Sequence, residues 1–256
     1  MSTKPILFVL PTLKQAGAET QAVDLASEIN KLTPCTLVTL SSETDLAQRL
    51  DREGVNWLSL VRRFKLDVGI VGKLAKIIKH GGFQSIHCTG QFAYLLVWLA
   101  AVLCKYDGKL VVALHTTVNV SLKDEWLDRL LYVHILSRAD SCVFVCKLQM
   151  QYWLKKYPKL AAKSTAIYNG VDVDRYDPAS NYELPASLDQ INQDSHLSIT
   201  CLAAFRPEKR HDILLRVFAQ LPGKPTLLLA GAGPLRNKVQ KQAEELAVAD
   251  RVKFLG

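Results

Sequence analysis

No apolar run in this sequence is long enough to span a bilayer. The longest, "FAYLLVWLAAVLC" from Phe92 to Cys104, falls short of the about 20 residues a spanning helix needs, and is expected to form a buried helix. The opening "MSTKPILFVLPTL" carries one lysine and an apolar stretch cut by Pro11, so a first strand is expected there rather than a secretory leader. No CxxC pair occurs among Cys35, Cys88, Cys104, Cys142, Cys146 and Cys201, and most of them sit inside apolar runs such as "SCVFVC". They read as buried thiols of a reducing compartment, not as disulfides or zinc ligands. The six histidines are scattered without metal-ligand spacing, so no metal is expected. Low-complexity tracts and short repeats are also lacking, which excludes solenoid and linker-rich architectures.

What is present is an ordinary globular balance, 49% hydrophobic and 22% charged over 256 residues, enough for one large or two small domains, each with a real core. The net charge of +8 comes from 32 basic and 24 acidic residues. A basic surface favours anionic partners, although it is also simply soluble. Strand-like runs at 5–11, 35–40, 55–60, 84–88, 109–114, 141–146 and 164–169 alternate with helical patterns at 19–32, 43–53, 68–80, 91–105, 123–138 and 147–157. This alternation predicts an α/β fold with a doubly wound parallel sheet. The polar, turn-rich stretch 170–196 reads as a linker between residues 1–169 and a second, partial Rossmann-like unit over 197–256. There the pattern restarts as strand, helix from about Lys209, strand 225–231, helix at about 234–248, strand.

Four stretches could carry chemistry. In "LKQAGAET", small residues around Gly17 join the first strand to the first helix, so a ligand could approach the backbone; a helix entry needing small residues is the plainer alternative. In "LHTTVN", His115 follows a strand directly, at the edge where open α/β sheets bind ligands. A lone histidine is also compatible with a structural role. In "AAFRPEKRHDILL", Arg206, Lys209 and Arg210 crowd a helix start, where basic charge opposes the macrodipole and a phosphate would relieve the conflict. In "AGAGPLR", Gly231 and Gly233 flank a strand exit, but Arg236 stands where a dinucleotide fingerprint has its third glycine. Separately, Lys73, Lys76 and Lys79 share a helix face suited to an anionic membrane surface or simply to water.

Together these stretches resemble the retaining glycosyltransferases of family 4, with the GT-B architecture of two Rossmann-like domains. "IYNGVDVDRYDP" is similar to the family's interdomain signature, "RPEKRHDILL" to its phosphate-binding segment and "LLLAGAGPLR" to the strand and glycine turn that follow. "RADSCVFVCKLQMQYW" also fits, with Cys146 where a serine is usual. The resemblance implies that Gly17, Arg206 and Lys209 meet the donor diphosphate, that Gly231 and Gly233 form the donor-side turn, and that His115 sits against the transferred sugar. It puts Ala18, Glu19 and Thr116 on the acceptor side. The family's arginine five residues before the lysine is replaced by Ala204, with Arg206 the nearest substitute.

The reaction implied is transfer of a hexose from a UDP- or GDP-linked sugar to a hydroxyl of a glycan, lipid-linked or small-molecule acceptor, with retained configuration. The nucleotide sugar is a substrate, so no cofactor is implied. The setting implied is cytoplasmic synthesis of a cell-surface polysaccharide or glycolipid, with peripheral contact at the inner membrane face and no nucleic acid. Family members continue beyond the last strand into a segment with two glutamates. The sequence stops before it, so a shortened, weakly active or inactive chain is expected. A binding-only remnant and a Rossmann oxidoreductase are the alternatives.

Overall fold

The computed structural model describes residues 4–64, 67–116, 122–173 and 197–256, with 122–124 described by backbone alone. Most of the 170–196 stretch therefore lies outside the described residues, as does the end of "LHTTVN". The chain divides into two compact units, residues 1–172 and 173–256.

The first unit holds one seven-stranded sheet. Its strands are β1 (Ile6–Leu10), β2 (Cys35–Thr39), β3 (Asn56–Ser59), β4 (Ser85–Thr89), β5 (Lys109–Leu114), β6 (Ser141–Phe144) and β7 (Ser164–Ala166), in spatial order β3-β2-β1-β4-β5-β6-β7. Every pairing is parallel. The helices are α1 (Gly17–Asn30), α2 (Ala47–Arg52), α3 (Val68–Gly81), α4 (Gln91–Cys104), α5 (Leu122–Leu127), α6 (Val133–Leu136) and α7 (Lys147–Lys156).

The period of two along β1 shows how the sheet is covered. Leu7 and Val9 join the cluster that includes Leu74 and Ile78 of α3 and Tyr94 and Val97 of α4. Phe8 and Leu10 join the opposite cluster, with Ala22 and Val23 of α1 and Leu50 of α2. Both faces are buried, and for that reason these strands read as continuous apolar runs. On α3 the apolar residues Ile70, Val71, Leu74, Ala75 and Ile78 are buried while Lys73, Lys76 and Lys79 are exposed. The core takes up most of the apolar face, while the three lysines, Val68 and His80 stay exposed. No helix among the described residues is long and apolar enough to cross a membrane.

One expected helix differs. The 123–138 pattern is broken into α5, a π-helical stretch Asp128–Tyr132, and α6. Asp128 sits there, 3% exposed, and accepts a 2.9 Å hydrogen bond from Gln91 Nε2. A wider turn is how a helix accommodates an inward-facing polar group without breaking.

The second unit is a three-stranded parallel sheet, β8 (Ser198–Leu202), β9 (Thr226–Ala230) and β10 (Val252–Phe254), in order β10-β9-β8. Helices α8 (His211–Phe218) and α9 (Arg236–Glu245) follow β8 and β9. Both begin about two residues later than the sequence pattern implies. Lys209 belongs instead to a 3-10 turn, and Arg210 takes a left-handed conformation at φ 52° before α8.

Candidate active site

Parallel strands all present their carboxyl ends at one edge, and in the first sheet the order reverses between β1 and β4. Loops leaving neighbouring strands part at such a point and open a crevice. The loop after β1 ends at Gly17. It is pinned, because the Gln15 N–H donates to Asp45 Oδ2 at 3.1 Å and the Leu46 N–H donates to the Leu13 carbonyl at 3.1 Å. Ala16 is the N-cap of α1 and offers no side-chain bond to the first turn. A Cβ built on Gly17 would meet nothing within 4 Å. Internal packing therefore does not require glycine at 17, and the first-turn N–H groups lack the usual capping oxygen. Gly17 is exposed, Ala18 half-buried and Glu19 buried.

His115 and Thr116 follow β5. Across β4 and β5, the Gly90 N–H donates to the Ala113 carbonyl at 2.8 Å, just before His115. The Trp153 Nε1–H donates to the Thr116 carbonyl at 3.2 Å, so α7 holds this turn in place. Burial lowers the His115 pKa below the usual imidazole range. The ring is thus neutral near pH 7, a hydrogen-bonding group rather than a cation. Its neighbour His87, in β4, packs in a tilted arrangement 5.0 Å from the Phe8 ring and is pushed down to about 4 by burial, with a further push from His115.

In the second unit, two turns at the carboxyl edge are fastened to each other. The Phe205 N–H donates to the Ala232 carbonyl at 3.0 Å, and the Leu235 N–H donates to the Phe205 carbonyl at 3.1 Å. Gly231 and Gly233 make this closeness possible. Their φ values are 146° and 155°, and added Cβ atoms would lie 2.3 Å from the Ala203 carbonyl oxygen and 2.6 Å from that of Phe205. His211 stacks on Phe205 at 4.6 Å and braces the turn that carries Arg206, Lys209 and Arg210. Arg210 is already committed, with Nε and Nη2 each 3.0 Å from the Asp212 carboxylate. That pair answers part of the charge conflict expected at this helix start. Arg206 and Lys209 have no hydrogen bond or ion pair from their side chains among the described residues. Arg236, in the place of a third fingerprint glycine, lays its guanidinium 5.6 Å from the Phe254 ring centroid.

These arrangements are two glycine-bearing strand exits, a neutral histidine beside one and two uncommitted cations beside the other. The family model described as "Glycosyltransferase Family 4" matches residues 16–175, and "Glycosyl transferases group 1" matches residues 189–256. The chain belongs to glycosyltransferase family 4. This family-4 chain is 22% identical over 277 residues to "Putative glycosyltransferase EpsF" of Bacillus subtilis, covering 100% of the chain and 69% of that protein. It is 26% identical over 127 residues to the D-inositol 3-phosphate glycosyltransferase of Mycolicibacterium smegmatis, covering 47% of the chain and 28% of the relative. Among solved structures, Anabaena Alr3699/HepE in complex with UDP and glucose matches with a TM-score of 0.81 at 19% identity, over 99% of this chain and 69% of that one. The fold class is GT-B, two Rossmann-like parallel-sheet domains with the second one small.

Sequence reasoning singled out Gly17, His115, Lys209 and the 231–233 turn, and passed over Gly90, whose N–H ties the β4 exit to β5. Gly90 is the N-cap of α4 at φ 82° and ψ 160°, a conformation that favours glycine. The signal was available, since "TGQ" follows a strand and opens a helix as "AGA" does.

Proposed function

We propose that this family-4 glycosyltransferase transfers a hexose from UDP- or GDP-sugar to an acceptor hydroxyl with retained configuration, in synthesis of a cell-surface glycan. The observation that carries the donor reading is the fastened turn pair of the second unit. Arg206 and Lys209 stand uncommitted beside two glycines that keep side chains away from the backbone. A diphosphate is the ligand such a turn suits, because charge-assisted bonds to two cations would replace hydration. Negative charge building on the departing diphosphate would be stabilised by the same groups. Neutral His115, with Gly17 and Thr116, would face the sugar and acceptor, where a neutral imidazole can hydrogen-bond a sugar hydroxyl. The glycosyl bond to the nucleotide breaks and one to the acceptor oxygen forms, and the acceptor proton leaves with the diphosphate or solvent. Contact with an anionic membrane through Lys73, Lys76 and Lys79 would be electrostatic only, since the apolar face of α3 is in the core.

Calorimetric titration with UDP, GDP and NAD tests this reading. Saturable UDP or GDP binding, weakened about tenfold in Lys209→Ala, is expected. Preferential NAD binding would favour the oxidoreductase alternative, and glycan binding without nucleotide binding would favour a binding-only protein.

A further inference from the structure

His115 is the first residue beyond β5, yet the chain on both sides of it is held. Leu114 stands opposite Phe144 in the parallel register of β5 and β6. Thr116 is held through its carbonyl, which accepts the 3.2 Å bond from the Trp153 indole N–H. The two anchors meet in one cluster, because the Trp153 ring packs 6.0 Å from the Phe144 ring centroid and 5.5 Å from that of Tyr157. Trp153 is 4% exposed. An indole packed between two rings keeps one rotamer, so its single N–H has one direction. The bond it makes belongs to no helix or strand, for its acceptor lies 37 residues away on an exposed residue. A circuit therefore runs from β5 to β6, through two aromatic rings to α7, and back to the residue after His115.

Three residues further along, α7 takes a second hold. Lys156 pairs with Glu125 of α5, on the far side of residues 117–121, and both side chains are partly exposed. The Lys156 ammonium lies 5.5 Å from the ring centroid of Tyr157, the same ring that packs on Trp153. Both holds thus grow from one aromatic cluster. A phenylalanine at 153 would fill the apolar space between Phe144 and Tyr157. What the indole adds is one hydrogen bond, and it is placed on the turn that carries His115. A side chain that meets a sugar hydroxyl works best on backbone already fixed, since ordering that backbone on binding costs affinity.

We propose that Trp153 is a positioning residue of the transfer site: through the Thr116 carbonyl its indole N–H fixes the direction of the His115 ring, and the Lys156–Glu125 pair holds the far side of the same connection. Its service to sugar transfer rests on the reading of His115 above; the positioning itself does not. Imidazole NMR of the full chain tests it, with the His115 signals assigned from a His115→Gln sample. The variant is Trp153→Phe, which keeps an aromatic ring and loses the donor. Burial holds the His115 titration below the usual imidazole range, so a turn released toward water should raise its midpoint by about half a pH unit or more. The midpoint of its neighbour His87 should stay in place. Lys156→Gln, a change at a partly exposed position, should raise the His115 midpoint by a smaller amount. UDP-glucose is expected to shift the His115 signals of the unaltered chain and to shift them less in Trp153→Phe, with equal UDP affinity in the two. An unmoved His115 titration in the variants would overturn the proposal, because a Trp153 that only packs lowers stability and leaves that ring alone. If Trp153→Phe does not fold, Lys156→Gln decides by the same criterion. His115 signals that ignore UDP-glucose in the unaltered chain, with a titration that still moves in the variants, would instead remove His115 from the transfer reading and leave the positioning standing.

Discussion

Gly17 and Gly231 both follow a strand at its carboxyl end, yet the fold needs only the second. An added Cβ at Gly231 would lie 2.3 Å from the Ala203 carbonyl oxygen, at a φ of 146°. Gly231→Ala should therefore cost about 1–3 kcal/mol in denaturant unfolding, the usual range for forced backbone strain. Gly17→Ala should leave stability within about 0.5 kcal/mol and weaken UDP binding about fivefold, the worth of roughly one hydrogen bond. Unchanged UDP affinity in that variant would take Gly17 out of the site. The cations divide in the same way. Arg206→Ala should weaken UDP about tenfold, whereas Arg210→Ala should do less, because Asp212 already holds that guanidinium. The run "RPEKR" made all three look equivalent. In the fold, Arg210 takes a left-handed conformation and its side chain bonds Asp212.

Among the elements, α3 and β4 make opposite demands on pH and packing. Leu74 is fully buried on α3, so Leu74→Ala should cost about 2–5 kcal/mol. Lys73→Gln one residue earlier should change stability by less than about 0.5 kcal/mol. On β4, His87 has a folded pKa of about 4, below the unfolded value of about 6.5. The unfolded chain therefore binds the extra proton first, and stability is lost as pH falls from about 6.5 through about 4. Because His87 retains some exposure, the loss is at most about 3 kcal/mol. His87→Phe should flatten the acid limb of a stability-versus-pH curve over that window, and an unchanged limb would show that His87 does not set it. The helix at 68–81 was legible, to within a residue, from its 3.6-residue period; the structure adds that the Asp67 carboxylate caps the Gly69 N–H at 2.9 Å. The π-helical stretch at 128–132 was not. Asp128 within it bonds Gln91, 37 residues away in sequence, a contact no local pattern announces.

Among the described residues there are three buried clusters, two on the faces of the first unit's sheet and a smaller one in the second unit. The smaller unit ends its sheet at β8, where Leu202 is 81% exposed and alternate residues face solvent. Smaller cores bury a smaller share of their surface and are closer to marginal stability. Denaturant unfolding followed by circular dichroism and by limited proteolysis should show two transitions, with the 197–256 region opening first. UDP at a hundred times its dissociation constant should raise that first transition by about 2.7 kcal/mol. A single transition raised as a whole would mean that the units unfold together.

The sequence by itself determined the alternation of strands and helices, the parallel order it demands, and the strand exits at Gly17, His115 and Gly231. These are local matters, set by apolar period, turn chemistry and the need to cover both faces of a sheet. Only the tertiary structure decided which cations remain uncommitted, that Gly231 and Gly233 serve backbone contact while Gly17 does not, and that Trp153 of α7 reaches the turn beyond His115. Those outcomes depend on which groups from distant segments arrive within bonding distance, and a one-dimensional pattern does not encode distances across a sheet edge.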